Sequence, residues 1–369
     1  MKVQASVLLT LLGATAAHAG GIERTSQSAM LLFAEGNRME LSYGAVSPSL
    51  TGRDYSGNDI GNVGNSYGLP SFGLKFDLSE KVAVALIYDT PFGADIEYDY
   101  GGANQRLDGT MAKADVTALT LLAKYQATDR VSVFGGIRRQ TAEGQITLDG
   151  LAYGGAPPGG LTGYSVELNN GAGTGYVLGA AYEIPEIALR LALTYNSEIS
   201  HDFDTVEYGL APMGLAGTMS SKTPESLQLE FQTGIAADTL LMASIRHVKH
   251  SAFKIRPQFS DTDLVDLSDT TTYRLGVGRR FTPKLAGQVS VAYEAAGDPL
   301  VSPLAPSTGS TQLSLGLSYQ VTEALEVSGG VSYVWLGDAT PETGTPDTPH
   351  ADFNDNSATA LGLKIAYRF

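Results

Sequence analysis

The last nine residues of the chain, 361–369, alternate between two kinds of side chain at every step. Apolar residues fall on one face of an extended strand, whereas glycine, alanine, lysine and arginine fall on the other. This pattern fits a barrel wall with lipid outside and water inside. The alternative is an edge strand of a soluble sandwich, although an exposed terminal aromatic residue such as Phe369 is unusual there. The closing strand therefore favours a transmembrane β-barrel.

The N-terminal residues have the three parts of a secretory signal peptide. Lys2 supplies a positive charge, residues 7–12 form an apolar run, and Ala17-His18-Ala19 is an A-x-A cleavage site. A short membrane anchor is the alternative, but the apolar run is too short to cross a bilayer. We therefore expect residues 1–19 to be removed on export, so that the mature chain begins at Gly20.

The composition excludes several classes of function. The chain has no cysteine, and its net charge of −15 argues against nucleic acid as a partner. No serine, histidine and aspartate set has a recognisable catalytic spacing, so neither an enzyme nor a cofactor is predicted. Acidic residues cluster in the segment 261–269, where a solvated loop is favoured over a Ca²⁺ site, and no metal site is predicted.

The two-faced alternation recurs from residue 38 to the C-terminus, interrupted in turn by short polar turns and by long loops rich in Gly, Pro and Asp. Short turns on one side and long loops on the other are typical of outer-membrane barrels. We predict an all-β fold, an antiparallel transmembrane barrel over residues 38–369, with both ends in the periplasm. The long loops at 49–66, 149–173, 197–222 and 337–356 are expected to be irregular and to face outward. The wall should have about fourteen strands, near 38–47, 68–78, 81–98, 115–127, 130–148, 175–184, 187–197, 224–235, 240–253, 271–281, 286–295, 310–321, 325–336 and 358–369.

Residues 20–37, which we name the hatch, precede the first strand and do not fit the wall. They contain an apolar run with Leu31, Leu32 and Phe33, which would be unfavourable in periplasmic water. We predict a short plug folded into the lumen. A disordered leader and an extension of the first strand are the alternatives.

Two local stretches point to a known family. Residues 32–44 look like a junction between hatch and first strand, and Thr90-Pro91-Phe92-Gly93 looks like a third-strand signature. With the predicted topology, they make the chain resemble the FadL/TodX (OmpP1) family of outer-membrane long-chain fatty acid and hydrocarbon transporters. The chain departs from many members because its hatch is short and lacks an Asn-Pro-Ala sequence.

The resemblance implies that the third strand kinks inward and opens a gap from which a hydrophobic ligand enters the bilayer. Pro91 fits such a break because it has no N–H for the ladder, and Gly93 adds a permissive backbone. Phe92 and the apolar hatch residues are expected to line the path. In the alternative interpretation, Pro91 lies above the membrane, where the strand turns into a loop.

A ligand with an acidic head group would need a basic residue in the lumen. Strand parity places six candidates there, and the sequence does not choose among them: Arg138, Arg190, Arg274, Arg280, Lys364 and Arg368.

The sequence thus predicts passive transport of hydrophobic compounds across the outer membrane of a Gram-negative cell. A polar-solute porin and a structural or adhesin barrel that acts through its outward loops are the alternatives. The predicted partners are a hydrophobic small molecule, outer-membrane lipid and lipopolysaccharide, and the barrel-assembly machinery, which would read Tyr367 and Phe369. The protein is expected to be a monomer.

Overall fold

The computed structural model describes residues 22–101, 105–344 and 346–369. The predicted signal peptide and the first two hatch residues, Gly20 and Gly21, lie outside the described residues. Within these ranges, no helix is both long and apolar enough to cross a membrane.

Fourteen antiparallel strands close into a barrel, as the alternation predicts. Each strand pairs with its neighbours in chain order, and the last pairs with the first. The strands are β1 Arg38–Ser49, β2 Tyr67–Asp77, β3 Val82–Glu97, β4 Met111–Gln126, β5 Val131–Leu148, β6 Tyr164–Ile184, β7 Leu189–Asn196, β8 Ser226–Ala236, β9 Thr239–Val248, β10 Thr270–Arg280, β11 Leu285–Glu294, β12 Thr308–Gln320, β13 Leu325–Gly337 and β14 Ser357–Arg368.

The two faces of each strand differ as lipid and water require. On β14, Leu361 and Leu363 point outward and are exposed, whereas Lys364 points inward and is buried. Thr117 of β4 and Thr141 of β5 share a hydrogen bond of 2.8 Å on the outer face. Below this pair, in the direction of the periplasm, the outer side chains of both strands are mainly apolar. Above it they include charged residues such as Asp115. The threonine pair therefore marks the upper edge of the apolar band.

Four of the periplasmic turns share one local design. A serine or threonine hydroxyl accepts hydrogen bonds from the backbone N–H groups two and three residues later, and this fixes the turn where the next strand begins. The residues are Ser79, Thr128, Thr282 and Thr322.

Parts of two loops predicted to be irregular are ordered sheet, so for those parts the prediction was wrong. Residues 164–173 extend β6 upward, and Ile199–Tyr208 and Leu215–Thr223 form a hairpin that pairs with the extended strand. Above the membrane the polarity of a strand reverses: Val166 and Phe203 are buried inward, whereas Asp204 faces water. The expected lipid-type alternation is therefore absent in these segments.

The remaining short elements lie in loops, turns and the hatch. The loop strands are Gly52–Asp54, Asp59–Ile60, Leu300–Val301, Thr340–Thr343, Thr348–Pro349 and Ala351–Phe353. The 3-10 helices are Met30–Phe33, Leu151–Tyr153, Pro185–Ile187 and His250–Ala252. The last of these replaces the predicted end of β9, which stops at Val248.

Candidate functional site

The described part of the hatch, residues 22–37, lies inside the barrel. Met30–Phe33 forms a 3-10 helix whose four side chains are all buried. They pack against small and apolar lumen residues near the periplasmic end, including Ala85, Leu122 and Phe134. The lower lumen is therefore filled by an apolar contact between the hatch and the inner wall.

Cationic side chains hold the lower hatch. Lys75 of β2 donates hydrogen bonds to the backbone oxygens of Ala34 and Gly36, at 2.8 and 3.0 Å. The Phe33 ring packs edge-on against the Phe134 ring, with the centroids 5.7 Å apart. Lys124 and Arg190 lie over the same ring, at 4.7 and 4.8 Å from its centroid. Phe33 is thus the anchor of the hatch.

The upper hatch is held by buried polar contacts. Glu23 and Arg246 of β9 form an ion pair in which both side chains are almost fully buried. Arg246 also donates to Gln228 and to Gln27, at 2.9 and 3.2 Å. Thr25 donates a hydrogen bond of 2.8 Å to the Asp89 carboxylate on β3. Charged groups on β3 and β9 therefore fix the hatch in the middle of the lumen.

The wall has a gap between β2 and β3. The two strands pair only from Phe72 opposite Tyr88 down to Asp77 opposite Ala83. Above the gap, residues 63–65 of the first loop pair with the upper end of β3. Between these two closures, residues 67–71 of β2 have no ladder partner on β3.

The hatch fills part of this gap. The Arg24 N–H donates to the Pro91 carbonyl at 2.7 Å, and the Gly93 N–H donates to the Ile22 carbonyl at 2.8 Å. Glu23 forms an antiparallel bridge with Phe92. Residues 22–25 therefore occupy the edge of β3 that β2 leaves open.

The predicted third-strand residues lie at this edge. Thr90 and Pro91 form a bulge, because they oppose the single residue Thr117 of β4. Beyond the bulge, Phe92 points inward and is buried in the apolar core of the upper lumen. It therefore does not line the cavity between the hatch and the barrel wall. Gly93 lies against the Arg24 side chain: a Cβ at this position would come within 2.6 Å of three guanidine-group atoms.

A cavity of about 350 Å³ lies between the hatch and the inner wall of the barrel. This volume is within the range of small-molecule binding sites. Its lining mixes apolar side chains with charged ones. The apolar residues include Met30, Leu31, Leu69, Ile87 and Met242, and the charged residues include Asp89, Arg190, Glu230, Arg246, Arg274 and Lys364.

Of the basic residues predicted to face the lumen, Arg274 is distinctive. Arg190 lies 3.8 Å from Glu183, and Lys364 lies 3.7 Å from Glu40. Arg274 lines the cavity, and in the described part of the chain no carboxylate pairs with it. Its hydrogen-bond acceptor is the Gln312 amide oxygen, at a long 3.4 Å.

The other three predicted basic residues serve the structure. Arg138 is buried and donates to Thr120 and Asn196 at 2.8 Å each. Arg280 and Arg368 lie at the periplasmic end, where Arg280 pairs with Asp238 and Arg368 donates to the Glu323 carbonyl at 2.9 Å.

Comparison with known proteins identifies the fold and the family. The family model of the outer membrane protein transport proteins (OMPP1/FadL/TodX) matches residues 21–369. The chain belongs to this family. The resemblance predicted from the sequence is thereby confirmed, and so is location in the outer membrane. The family and the fold are those of transport channels.

Several solved structures share the fold at low sequence identity. A FadL homologue of Pseudomonas aeruginosa is 16% identical with a TM-score of 0.73, and the match covers 92% of each chain. The toluene transporter TodX of Pseudomonas putida is 13% identical with a TM-score of 0.66, and the match covers 96% of each chain. The toluene transporter TbuX of Ralstonia pickettii is 15% identical with a TM-score of 0.64, covering 91% of this chain and 90% of that one. No curated protein matches the sequence significantly.

Sequence reasoning missed several residues of this OMPP1/FadL/TodX lumen. Arg246 has the same parity as Met242 and Ser244 on β9, so the alternation already placed it inside the barrel. Lys75 was detectable in the same way on β2. Glu23 and Arg24 carried no signal, because the hatch has no periodicity from which to read a face.

Loops close the extracellular mouth above the cavity. The fully buried Tyr98 donates to the Pro303 carbonyl at 2.8 Å, and burial raises the pKa of its hydroxyl. His350 is buried between Arg106, 3.3 Å away, and Thr343, 2.7 Å away. Burial, and secondarily the Arg106 charge, lower the pKa of His350. The mouth is thus a packed cap that ties several loops together.

Proposed function

We propose that this protein carries hydrophobic compounds passively into the outer membrane, through the lumen cavity and out of the wall gap. The gap between β2 and β3 is the observation that supports this route. A closed barrel normally satisfies every backbone group in its wall, because lipid offers no hydrogen-bond partners. Here the chain leaves ladder positions open beside the cavity and covers the edge of β3 with residues 22–25 of the hatch.

The energetics favour a lateral exit for apolar cargo. Each CH₂ of an acyl chain gains roughly 0.8 kcal/mol by leaving water for hydrocarbon. A path from the cavity to the bilayer therefore needs no energy source, only an opening. Leu31 and Leu69 supply apolar contacts along this side of the cavity.

Arg274 favours cargo with an acidic head group, such as a long-chain fatty acid. A partly buried guanidinium without a counter-ion is unfavourable, and a bound carboxylate would supply the missing charge. A neutral hydrocarbon would fill the apolar side of the cavity and leave Arg274 unpaired. We therefore place fatty acids ahead of aromatic hydrocarbons as the substrate class.

Uptake by Arg274→Gln tests this assignment. We expect the variant to take up oleate at least about tenfold more slowly than the parent, since a hydrogen bond to a charged group contributes about 1.5–3 kcal/mol. Uptake of a long-chain alkane should be unchanged. The measurement is transfer of each labelled compound into cells that lack other outer-membrane transporters for it, with Arg280→Gln as the control outside the cavity. Equal rates of oleate uptake in parent and Arg274→Gln would contradict the head-group role.

The hatch is proposed to keep polar solutes out. A polar-solute porin would lack such a plug, and a structural or adhesin barrel would not need a cavity. Deletion of residues 22–37 should raise leakage of small sugars strongly, and unchanged leakage would argue against the plug.

Assembly and lipid contacts remain predictions. Phe369 packs edge-on against Phe76 of β2, with the centroids 5.7 Å apart, and stacks on Tyr367. These exposed aromatic residues are available to the assembly machinery before the barrel closes. Contact with lipopolysaccharide and a monomeric state are likewise predictions from the sequence.

A further inference from the structure

We propose that residues 22–25 are a removable strand of the wall, and that the Arg24–Asp115 ion pair is the clasp that holds it closed. This inference rests on the proposed lateral route. It assigns Arg24 a positioning role: it does not bind the cargo, but it controls whether the gap is covered.

The segment behaves as a strand in its side-chain directions. Glu23 points into the lumen and pairs with Arg246, and Thr25 points inward to Asp89. Arg24, between them, points the opposite way, as alternate residues of an extended chain must. The hatch therefore contacts both the lumen side and the outer side of the wall.

Arg24 reaches the outer face through the wall itself. Its guanidinium lies 2.9 Å from the Asp115 carboxylate of β4. Asp115 lies next to the lumen-facing Val116 and therefore faces outward, and its side chain is 46% exposed. The Arg24 side chain is 6% exposed, so most of it is enclosed by the wall.

Gly93 creates the passage. Its partner across the ladder is Asp115, and its missing side chain leaves the space that the Arg24 guanidinium occupies. The same guanidinium lies 4.3 Å from the centre of the Tyr67 ring on β2. Arg24 thus connects β2 to β4 across the open edge of β3, and this contact bridges the gap.

The two ion pairs that hold the segment, Glu23–Arg246 and Arg24–Asp115, differ in strength. The Glu23–Arg246 pair is buried, and breaking it would leave an uncompensated charge in the lumen. In the Arg24–Asp115 pair the carboxylate is 46% exposed, so water and salt weaken the contact. The clasp is therefore the pair that opens first, and the segment would then remain tethered by Glu23 inside the barrel.

Hatch mobility in single-charge variants tests the clasp. The chain has no cysteine, so Ser26→Cys provides a unique site for a nitroxide spin label beside the segment. We expect Arg24→Gln and Asp115→Asn each to raise the mobile fraction of the label about fivefold, which corresponds to loss of a partly exposed ion pair. The double variant should be no more mobile than either single variant, because both changes remove the same contact.

Two further variants separate the clasp from general effects. Glu143→Gln removes a charge from the exposed outer-face residue that is directly opposite Asp115 on β5, and it should leave the label immobile. Gly93→Ala should displace the Arg24 side chain and reproduce the Arg24→Gln result, with no added effect in the Arg24→Gln background. An immobile label in Asp115→Asn, or equal mobility in Asp115→Asn and Glu143→Gln, would overturn the proposal.

Transport is measured separately in the same variants. If the label becomes mobile and oleate uptake rises, both the clasp and the lateral route are supported. If the label becomes mobile while uptake stays at the parental rate, the clasp stands and the lateral route fails. Unchanged mobility refutes the clasp whatever the uptake.

Discussion

The seam between β14 and β1 and the gap between β2 and β3 lie two strands apart and differ in how completely their strands pair. The seam joins the two ends of the chain with twelve residue pairs, from Arg38 opposite Arg368 to Ser49 opposite Ser357. The gap separates two strands that follow each other in the chain, yet they share only six pairs. Chain connectivity therefore does not decide where the wall is closed.

Proline content explains the difference. Pro70 of β2 and Pro91 of β3 lie on the two sides of the gap, and each removes a ladder donor. The seam strands carry one proline, Pro48, at the extracellular end of β1. The prolines at its two edges therefore determine where the gap lies.

The largest effect is expected at the seam. Leu363 faces lipid on β14 and is 66% exposed, and Leu363→Arg would place a charge in the hydrocarbon. We expect the free energy of unfolding to fall by about 2–4 kcal/mol. Urea unfolding in lipid vesicles measures this. Ser332→Arg, on the lumen side of β13, is the control and should cost much less. Equal losses would show that the two faces are not lipid and water.

A repaired gap should change transport without weakening the barrel. Deletion of Thr90 combined with Pro91→Val removes the bulge and restores a donor, so β3 can pair with β2 above Phe72. We expect oleate uptake to fall several-fold, while the urea midpoint stays the same or rises. Pro48→Val, a proline replacement outside the gap, serves as the matched control. Faster uptake in the repaired variant would argue against the gap as the exit.

The smallest effect concerns the cap above both regions. The pKa of His350 is lowered in the closed cap, so an opened loop binds the proton more readily than the closed one. Cap stability is therefore full above about pH 6.5, the ordinary histidine value, and declines as the pH falls toward the lowered pKa. Amide hydrogen exchange of residues 346–353, compared at pH 7.5 and 5.5 with exchange-rate correction, measures this opening. The His350→Gln variant should lose the pH dependence, and its persistence there would assign it to another group.

The wall could be predicted from the sequence, because a strand between lipid and water must alternate at every residue. The boundaries of β14 and β1 followed to within two residues. The upper part of β6 and its hairpin could not be found this way, since a strand above the membrane does not have one face in lipid and the other in water. The gap was predicted at Pro91 from the resemblance, whereas the role of Pro70 was missed.

The candidate site was less predictable than the wall. Parity put Arg274 and Lys364 in the lumen, but it could not show which of them lacks a carboxylate partner, because ion pairs depend on contacts between distant strands. The role of Arg24 could not be predicted from the sequence, since its side chain reaches Asp115 only through the space that Gly93 leaves.

The position of the Thr117–Thr141 pair has a consequence for the orientation of released cargo. Thr117 lies opposite the bulge, so the gap opens at the upper edge of the apolar band rather than at the bilayer centre. An acid that leaves there would arrive with its carboxylate among the lipid head groups and its chain directed toward the membrane interior. It would already have the orientation of a bilayer lipid, and no charged group would need to cross hydrocarbon for it to settle in the outer leaflet.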